Sequence, residues 1–260
     1  MKGIDTAATI SAAAAKTLKA NGITFAGRYL VPAGMWKDLK SAEIKALHDA
    51  GLAILLCWEI DTGDVKGGAD RGLKDGRRAK ALAEQFGVPA GTTIFFACDY
   101  CAVEADYPVI EAYIRAAQEA VTPYVAGLYG HAGLVDYLAE KGACARFWQC
   151  VAWSGGRVSK HTDVYQYLWS GGTESKALAA KVGFDVDMDT CDDLAAAGLW
   201  LPEVKHWYDD TVKWALKEGV VTETRPEDPA TRAEVMQMIR NYNQRREAED
   251  NKTASGLLTD

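Results

Sequence analysis

The sequence predicts an α/β protein: a (β/α)8 TIM-like barrel, partly degenerate, followed by a small C-terminal α-helical module. Three observations lead there. From residue 2 to about residue 190, short apolar runs alternate with longer segments of helical periodicity, the pattern of repeated β-α units. Eight such runs fall within that stretch, a density that suits a closed barrel better than a doubly wound open sheet, and no GxGxxG follows the first of them. Beyond Gly198–Lys205 the text changes to two amphipathic segments of helical period.

Taken in order, the strands are expected at 2–5 (KGID), 23–30 (ITFAGRYL), 52–58 (LAILLCW), 93–98 (TIFFAC), 124–129 (YVAGLY), 145–150 (ARFWQC), 163–167 (DVYQY) and 183–187 (GFDVD). Each is rich in β-branched, aromatic or aliphatic residues and short enough for a buried strand. Helices fit 8–20, 41–50, 69–86, 107–120 and 131–141. Ala50–Gly51 and Phe86–Gly87 place a glycine just past a helix, where left-handed backbone ends it. Little room is left for helices between the last three strands. The barrel is assigned to residues 1–198 and the helical module to 206–245, where HWYDDTVKWALKEGVV forms one helix. Thr231, with Glu234 three residues on, starts the second through a capping box. Residues 246–260 form a polar tail.

Composition narrows the function. The chain has 260 residues, 48% of them hydrophobic, enough for a large core. A net charge of −7 and a pI near 5.2 argue against nucleic acid and anionic membranes as partners, since both are bound largely through Lys and Arg. No stretch approaches the roughly 20 apolar residues of a membrane span, and MKGIDTAATI has no apolar core of signal-peptide length. The chain is therefore expected to be made in the cytoplasm without a signal peptide. The six cysteines (57, 98, 101, 144, 150 and 191) suit buried thiols better than a disulfide framework. Cys98–Cys101 has CxxC spacing but no second ligand pair, and His48, His131, His161 and His206 show no ligand spacing, so neither metal nor cofactor is expected.

In a barrel of this kind the active site lies at the C-terminal ends of the strands. Those ends are polar: Asp5, then Arg28 or Tyr29, then Glu59, Asp99, Tyr129, Gln149, Gln166, and finally Asp185 and Asp187. Asp99 closes the apolar run TIFFAC, where a lone acid is costly to desolvate unless it is used. Strands one and eight are neighbours in a closed barrel, as are three and four, so Asp5 is expected to face Asp187 and Glu59 to face Asp99. Other roles stand beside these. Asp5 could cap the following helix, and Glu59, with Asp61 and Asp64 close by, could be a solvated loop acid. Asp187 lies in DVDMD, which lacks the glycine and distal Glu of a calcium loop. Trp148, Trp153 and Trp169 are either core residues or sugar-stacking platforms. His131 reads as a helix cap.

GIDT, FFACDY, GLYG, FWQ followed by WSGG, DVYQY and GFDVDMD, in that order, resemble the glycoside-hydrolase-like domain family (domain of unknown function 1906), itself similar to the family 25 lysozymes. The resemblance covers about residues 2–192. It implies a lysozyme-like barrel acting on bacterial cell-wall peptidoglycan, with Asp5, Asp99 and Asp187 at the family's acidic positions and Cys101 where its Glu stands. The tail resembles a single S-layer-homology-like repeat, which implies wall attachment or self-association. Together these imply an endolysin-like layout, acting on the wall after release from the bacterial cytoplasm. On this reading Glu59, approached by an apolar strand and set beside Asp99, is the general acid and Asp99 stabilises charge or positions water. Asp5 and Asp187 hold the sugar or a water, and Arg28, Tyr129, Trp148, Gln149 and Gln166 bind substrate. The expected activity is muramidase cleavage of the β-1,4 bond between N-acetylmuramic acid and N-acetylglucosamine; the alternative is a non-catalytic glycan-binding protein that keeps the cleft.

Overall fold

Eight strands pair in sequence order and close on themselves: β1 (Lys2–Asp5), β2 (Ile23–Tyr29), β3 (Ala53–Trp58), β4 (Thr93–Ala97), β5 (Val125–Gly130), β6 (Phe147–Cys150), β7 (Val164–Leu168) and β8 (Asp187–Cys191). This is a computed structural model, and it describes residues 1–203, 214, 217 and 235–244. Helices α1 (Ala12–Ala20), α2 (Ser41–Asp49), α3 (Gly68–Phe86), α4 (Tyr107–Val121), α5 (Ala132–Glu140) and α6 (Thr173–Val182) connect the strands. β1 to β7 run parallel, whereas β8 is antiparallel to both β7 and β1.

Alternation along each strand divides the apolar residues into two cores. Phe25, Leu55, Phe95, Trp148, Cys150, Val164 and Cys191 fill the barrel interior. Ile4, Ala26, Ile54, Leu56, Phe96, Leu128 and Met188 point outward beneath the helices. Gly27 takes an interior position, where a Cβ would lie 2.7 Å from that of Asp5, so glycine is what makes room for the acid. Gly72 does the same between α3 and α4: a Cβ there would meet the Tyr113 carbonyl oxygen at 2.1 Å.

The structure corrects the expected elements and boundaries in four places. β8 begins where the eighth strand was expected to end, and it runs the opposite way. Gly183, at φ 87°, ends α6 in left-handed backbone, and Phe184–Val186 form a connection rather than a paired strand. α6, ten residues long, fills the interval between the seventh and eighth strands, where little room for a helix was expected. α1 starts at Ala12, capped by the Ser11 hydroxyl, which accepts from the Ala14 N–H at 3.2 Å; Asp5 is thus not the cap. Residues past 198 belong to the barrel: Trp200 and Ile54 exchange both backbone hydrogen bonds at 2.9 Å, and the chain divides into compact units at Pro202–Glu203.

In the second unit residues 235–244 are helical, and the Trp214 and Tyr242 rings lie 5.7 Å apart. The rest of the expected 206–245 module and the 246–260 tail lie outside the described residues. Among the described residues no helix is long and apolar enough to cross a membrane, and all six cysteines are free.

Among the expected site residues, Arg28 is corrected by its burial on the outer face of the barrel. It shares the outward face of β2 with Ala26 and is wholly buried. Its Nε donates to Glu43 Oε1 at 2.6 Å and its Nη1 to the Thr6 carbonyl at 2.5 Å, while Glu43 also accepts from the Ile10 N–H at 2.7 Å. The ion pair welds β2, α2 and the segment before α1, and it offers nothing to a ligand. Arg28→Met strands a buried carboxylate and is expected to cost about 3–5 kcal/mol by denaturant unfolding. Adding Glu43→Gln, which removes the charge but still accepts from Ile10, should recover part of that loss. A chain ending at Pro202 should melt as the full barrel does, whereas ending it before Leu199 removes Trp200 and its backbone pairing with Ile54 and should lower the melting temperature.

Candidate functional site

The C-terminal ends of β1 to β7 open on one side of the barrel, and because β8 is reversed its N-terminal end opens there too. Period-two alternation places Asp5, Tyr29, Glu59, Asp99, Tyr129, Gln166 and Asp187 toward this mouth, with Asp189 one layer beneath.

One half of the site is a carboxyl cluster on the β1–β8 seam. Asp5 and Asp187 are register partners. The Gln166 amide Nε2 donates to Asp5 Oδ2 at 2.7 Å and to Asp187 Oδ2 at 3.2 Å, and its Oε1 accepts from the Tyr129 hydroxyl at 2.9 Å. Beneath them Asp189, fully buried, accepts from Trp148 Nε1 at 2.8 Å and lies against Asp5. Burial, and then the Asp187 charge, push the Asp5 carboxyl up to about 7. Burial first and the Asp5 charge second hold Asp189 well above the ordinary carboxylate range. Burial also raises Asp187, with Asp99 adding to the shift. The Ser170 N–H and hydroxyl lie against Asp187 and pull the other way.

The other half lies at the ends of β3 and β4. Glu59, 8% exposed, pairs with Lys37 at 3.2 Å, and the same ammonium sits 4.3 Å from the centre of the Tyr29 ring. Burial raises both Glu59 and Asp99, and Lys37 opposes the shift at each. The loop that carries Glu59 is held from behind. Asp64 accepts from the N–H groups of Ile60 and Asp61 at 3.0 Å and from Arg71 at 2.6 Å, and Arg71 in turn reaches Asp75 at 2.7 Å.

The structure thus brings Asp5, Glu59, Asp99, Asp187, Tyr129 and Gln166 to one mouth and leaves three expected residues out of it. Arg28 faces the helices. Gln149 shares the outward face of β6 with Phe147, and its amide is consumed by the β6–β7 loop: Oε1 accepts from the Ser159 N–H at 2.8 Å and the Thr162 hydroxyl at 2.9 Å, and Nε2 donates to the Arg157 carbonyl at 2.9 Å. Trp148 is inside the barrel, buried, and serves Asp189 rather than a sugar. Lys37, Asp189 and Ser170 were missed. Asp189 could have been found, because it follows Asp187 by two and shares its face; Lys37 lies in an irregular loop that carries no periodic signal. Cys101 is exposed on the loop after β4. His131 caps α5, its Nδ1 accepting from the Gly133 N–H at 3.2 Å. Trp36, Trp153 and Trp169 stand exposed on the loops after β2, β6 and β7.

The arrangement offers several desolvated carboxyls that hold protons closer to neutrality than free acids do, beside one ammonium. That is equipment for proton transfer and for stabilising positive charge. Among the described residues no group of three or more His, Cys, Asp or Glu could hold a metal ion.

Comparison with known proteins agrees with this architecture. The Tat-secreted protein Rv2525c of Mycobacterium tuberculosis, solved in complex with L-tartrate, superposes with a TM-score of 0.65 at 23% identity, covering 76% of this chain and 98% of that one. An uncharacterized B. stearothermophilus protein superposes with a TM-score of 0.58 at 20% identity, covering 77% and 100%. At such identities these likenesses show the fold. The uncharacterized protein YbfG of Bacillus subtilis is 34% identical over 125 residues, 44% of this chain but only 16% of that protein's length. Residues 16–255 match the model of the Rv2525c-like, glycoside hydrolase-like domain, which spans far more than half of the sequence, and the chain belongs to that family.

Proposed function

We propose that the barrel is a peptidoglycan hydrolase of the muramidase type, cleaving the β-1,4 bond between N-acetylmuramic acid and N-acetylglucosamine by carboxyl acid/base catalysis. The observation that carries this reading is the set of desolvated carboxyls with raised pKa on both sides of a single barrel mouth. Membership of a glycoside hydrolase-like family supports a glycan as the ligand. Lys37, paired with Glu59, favours the ionised form of that residue and suits it to stabilise an oxocarbenium-like charge. Asp99, raised by burial and without an ion pair to Lys37 as close as that of Glu59, is then the better proton donor, the reverse of the order expected from the sequence. Gln166 fixes Asp5 and Asp187 so that they can hold a sugar hydroxyl or a water. As part of the same proposal, residues 206–245 attach the protein to the wall or to a second copy, and the protein reaches the wall after release from the cytoplasm, as an endolysin does.

A second reading, a non-catalytic glycan-binding protein, is favoured by Cys101, which stands where the resembled lysozymes carry Glu. New reducing ends released from purified cell walls separate the two. Under the hydrolase reading, Asp99→Asn and Glu59→Gln each lower release by about 100-fold or more while wall binding stays near wild type. Lys37→Met removes the one group that lowers both Glu59 and Asp99, so the acidic limb of the pH–rate profile moves to higher pH. No release of reducing ends by the wild type would leave the binding reading standing, whereas wild-type rates in both carboxyl variants would move the acid/base roles to other residues.

The cluster also sets a pH dependence of stability. A carboxyl whose folded pKa lies above its unfolded value binds its proton more tightly in the folded state, so stability is lost as pH rises from the unfolded value through the folded one. For Asp5 that window runs from 3.8 to about 7. The melting temperature is therefore expected to fall between pH 4 and pH 7.5, and Asp5→Asn should flatten the fall and raise the melting temperature at pH 7.5.

A further inference from the structure

The tetrapeptide Trp-Ser-Gly-Gly occurs twice, at residues 153–156 and 169–172, once beyond each of two neighbouring parallel strands, β6 and β7. We infer that these two loops form a paired-indole wall that holds the pyranose rings of a glycan strand beside Asp187; the inference rests on the glycan reading above.

The two copies share a division of labour in which the serine fastens the loop and the indole is left out. Ser154 Oγ accepts from the Ala132 N–H at 3.0 Å and donates to the Cys150 carbonyl at 2.6 Å, which pins the first loop to β6 and to the start of α5. Ser170 lies beside the Asp187 carboxyl and favours its ionised form, which sets the second loop next to the carboxyl cluster. Trp153 and Trp169 nevertheless remain 45% and 64% exposed, while Trp58, Trp148 and Trp200 are buried. Fastened loops that expose their largest apolar side chains are not serving the core.

Backbone geometry points the same way. Trp153 adopts φ 57°, left-handed backbone that a bulky residue enters only at a cost, although glycines two and three positions on take it freely at φ 60° and 77°. Strain at a side chain left nearly half exposed is not matched by burial in the core, and it fits a residue placed for a ligand. The Trp169 ring lies over Gly171, where a Cβ would come within 1.8 Å of it, so the backbone braces the indole. Preformed indoles suit the C–H faces of a pyranose, whose hydroxyl and amide groups then turn toward donors and acceptors in the adjoining cleft. Because the Trp169 loop follows β7, the strand paired with the one that Asp187 begins, the wall runs on into that cleft, and the occupant is a sugar chain rather than an apolar peptide.

The test uses the full chain in the Glu59→Gln background, with chitohexaose as probe and 15N-labelled indoles as reporters. The Trp153 and Trp169 indole resonances should shift on titration. Trp153→Ala and Trp169→Ala should each weaken binding about tenfold, with more lost in the double variant and part regained in Trp169→Phe. Trp153→Gly, which relieves the backbone, should melt at or above the parent temperature and still bind weakly. The inference is overturned if the double variant binds chitohexaose as the parent does, a result that leaves the glycan reading intact. It is equally overturned if Trp153→Gly is destabilised, since Trp153 would then be a packing residue, or if the double variant dissolves a dimer of the parent, since the wall would then face a second copy. If neither chitohexaose nor isolated peptidoglycan strands bind the parent, the glycan reading falls with it.

Discussion

The reversed eighth strand is the constraint on which the site depends. A parallel β8 would have brought its last residue to the mouth and buried its first at the other end. Running antiparallel against β1 and β7, it lays Asp187 opposite Asp5 and sets Asp189 one layer below, against Asp5. Three carboxyls are thereby forced together on one seam, and the interior side chains nearest to them are those that can answer a carboxyl: the Gln166 amide, the Trp148 indole N–H and, through Gln166, the Tyr129 hydroxyl.

Concentrating acids in a closed, partly dry mouth is unfavourable to the fold, and the pattern of compensation shows what is being kept. Like charges at short range hold protons on one another, so the cluster carries less negative charge at neutral pH than its count of acids suggests. Among the described residues one ammonium, that of Lys37, has been brought in, and it is placed beside Glu59 rather than on the seam. Full neutralisation of the seam would have made a more stable barrel with nothing left to titrate. Leaving it underpaired trades stability for groups that exchange protons near neutrality, the exchange expected at a working site.

The scaffold that tolerates this is conventional in its physics. The loops that carry the site are tied down from outside the barrel, by Asp64 and Arg71 behind Glu59, by the Gln149 amide behind the β6–β7 loop, and by the Arg28–Glu43 pair behind the loop that brings Lys37. Polar residues near the strand ends therefore divide into two sets: those facing inward to the mouth and those facing outward to hold the loops in place.

That division separates what is legible along the chain from what long-range packing imposes. Apolar runs spaced by helical segments were enough to indicate a barrel, because burial on both faces makes each strand legible on its own. Asp5, Glu59 and Asp99 were legible as site residues because each ends such a run, and period-two alternation would have set Arg28 and Gln149 aside: each sits an odd number of residues from its strand's interior positions. Strand direction is different. DVYQY and GFDVDMD look alike whether β8 is parallel or antiparallel, because the local pattern of a strand carries no information about its neighbour's polarity; only closure of the barrel fixes it. Lys37 likewise comes from an irregular loop whose path is set by Arg28, Glu43 and the strands beneath it. The sequence alone determined which acids the chain could bring to a strand end. Which of them meet, and which one meets a cation, was decided by long-range packing, since carboxyl pKa values depend on neighbours far apart in the chain.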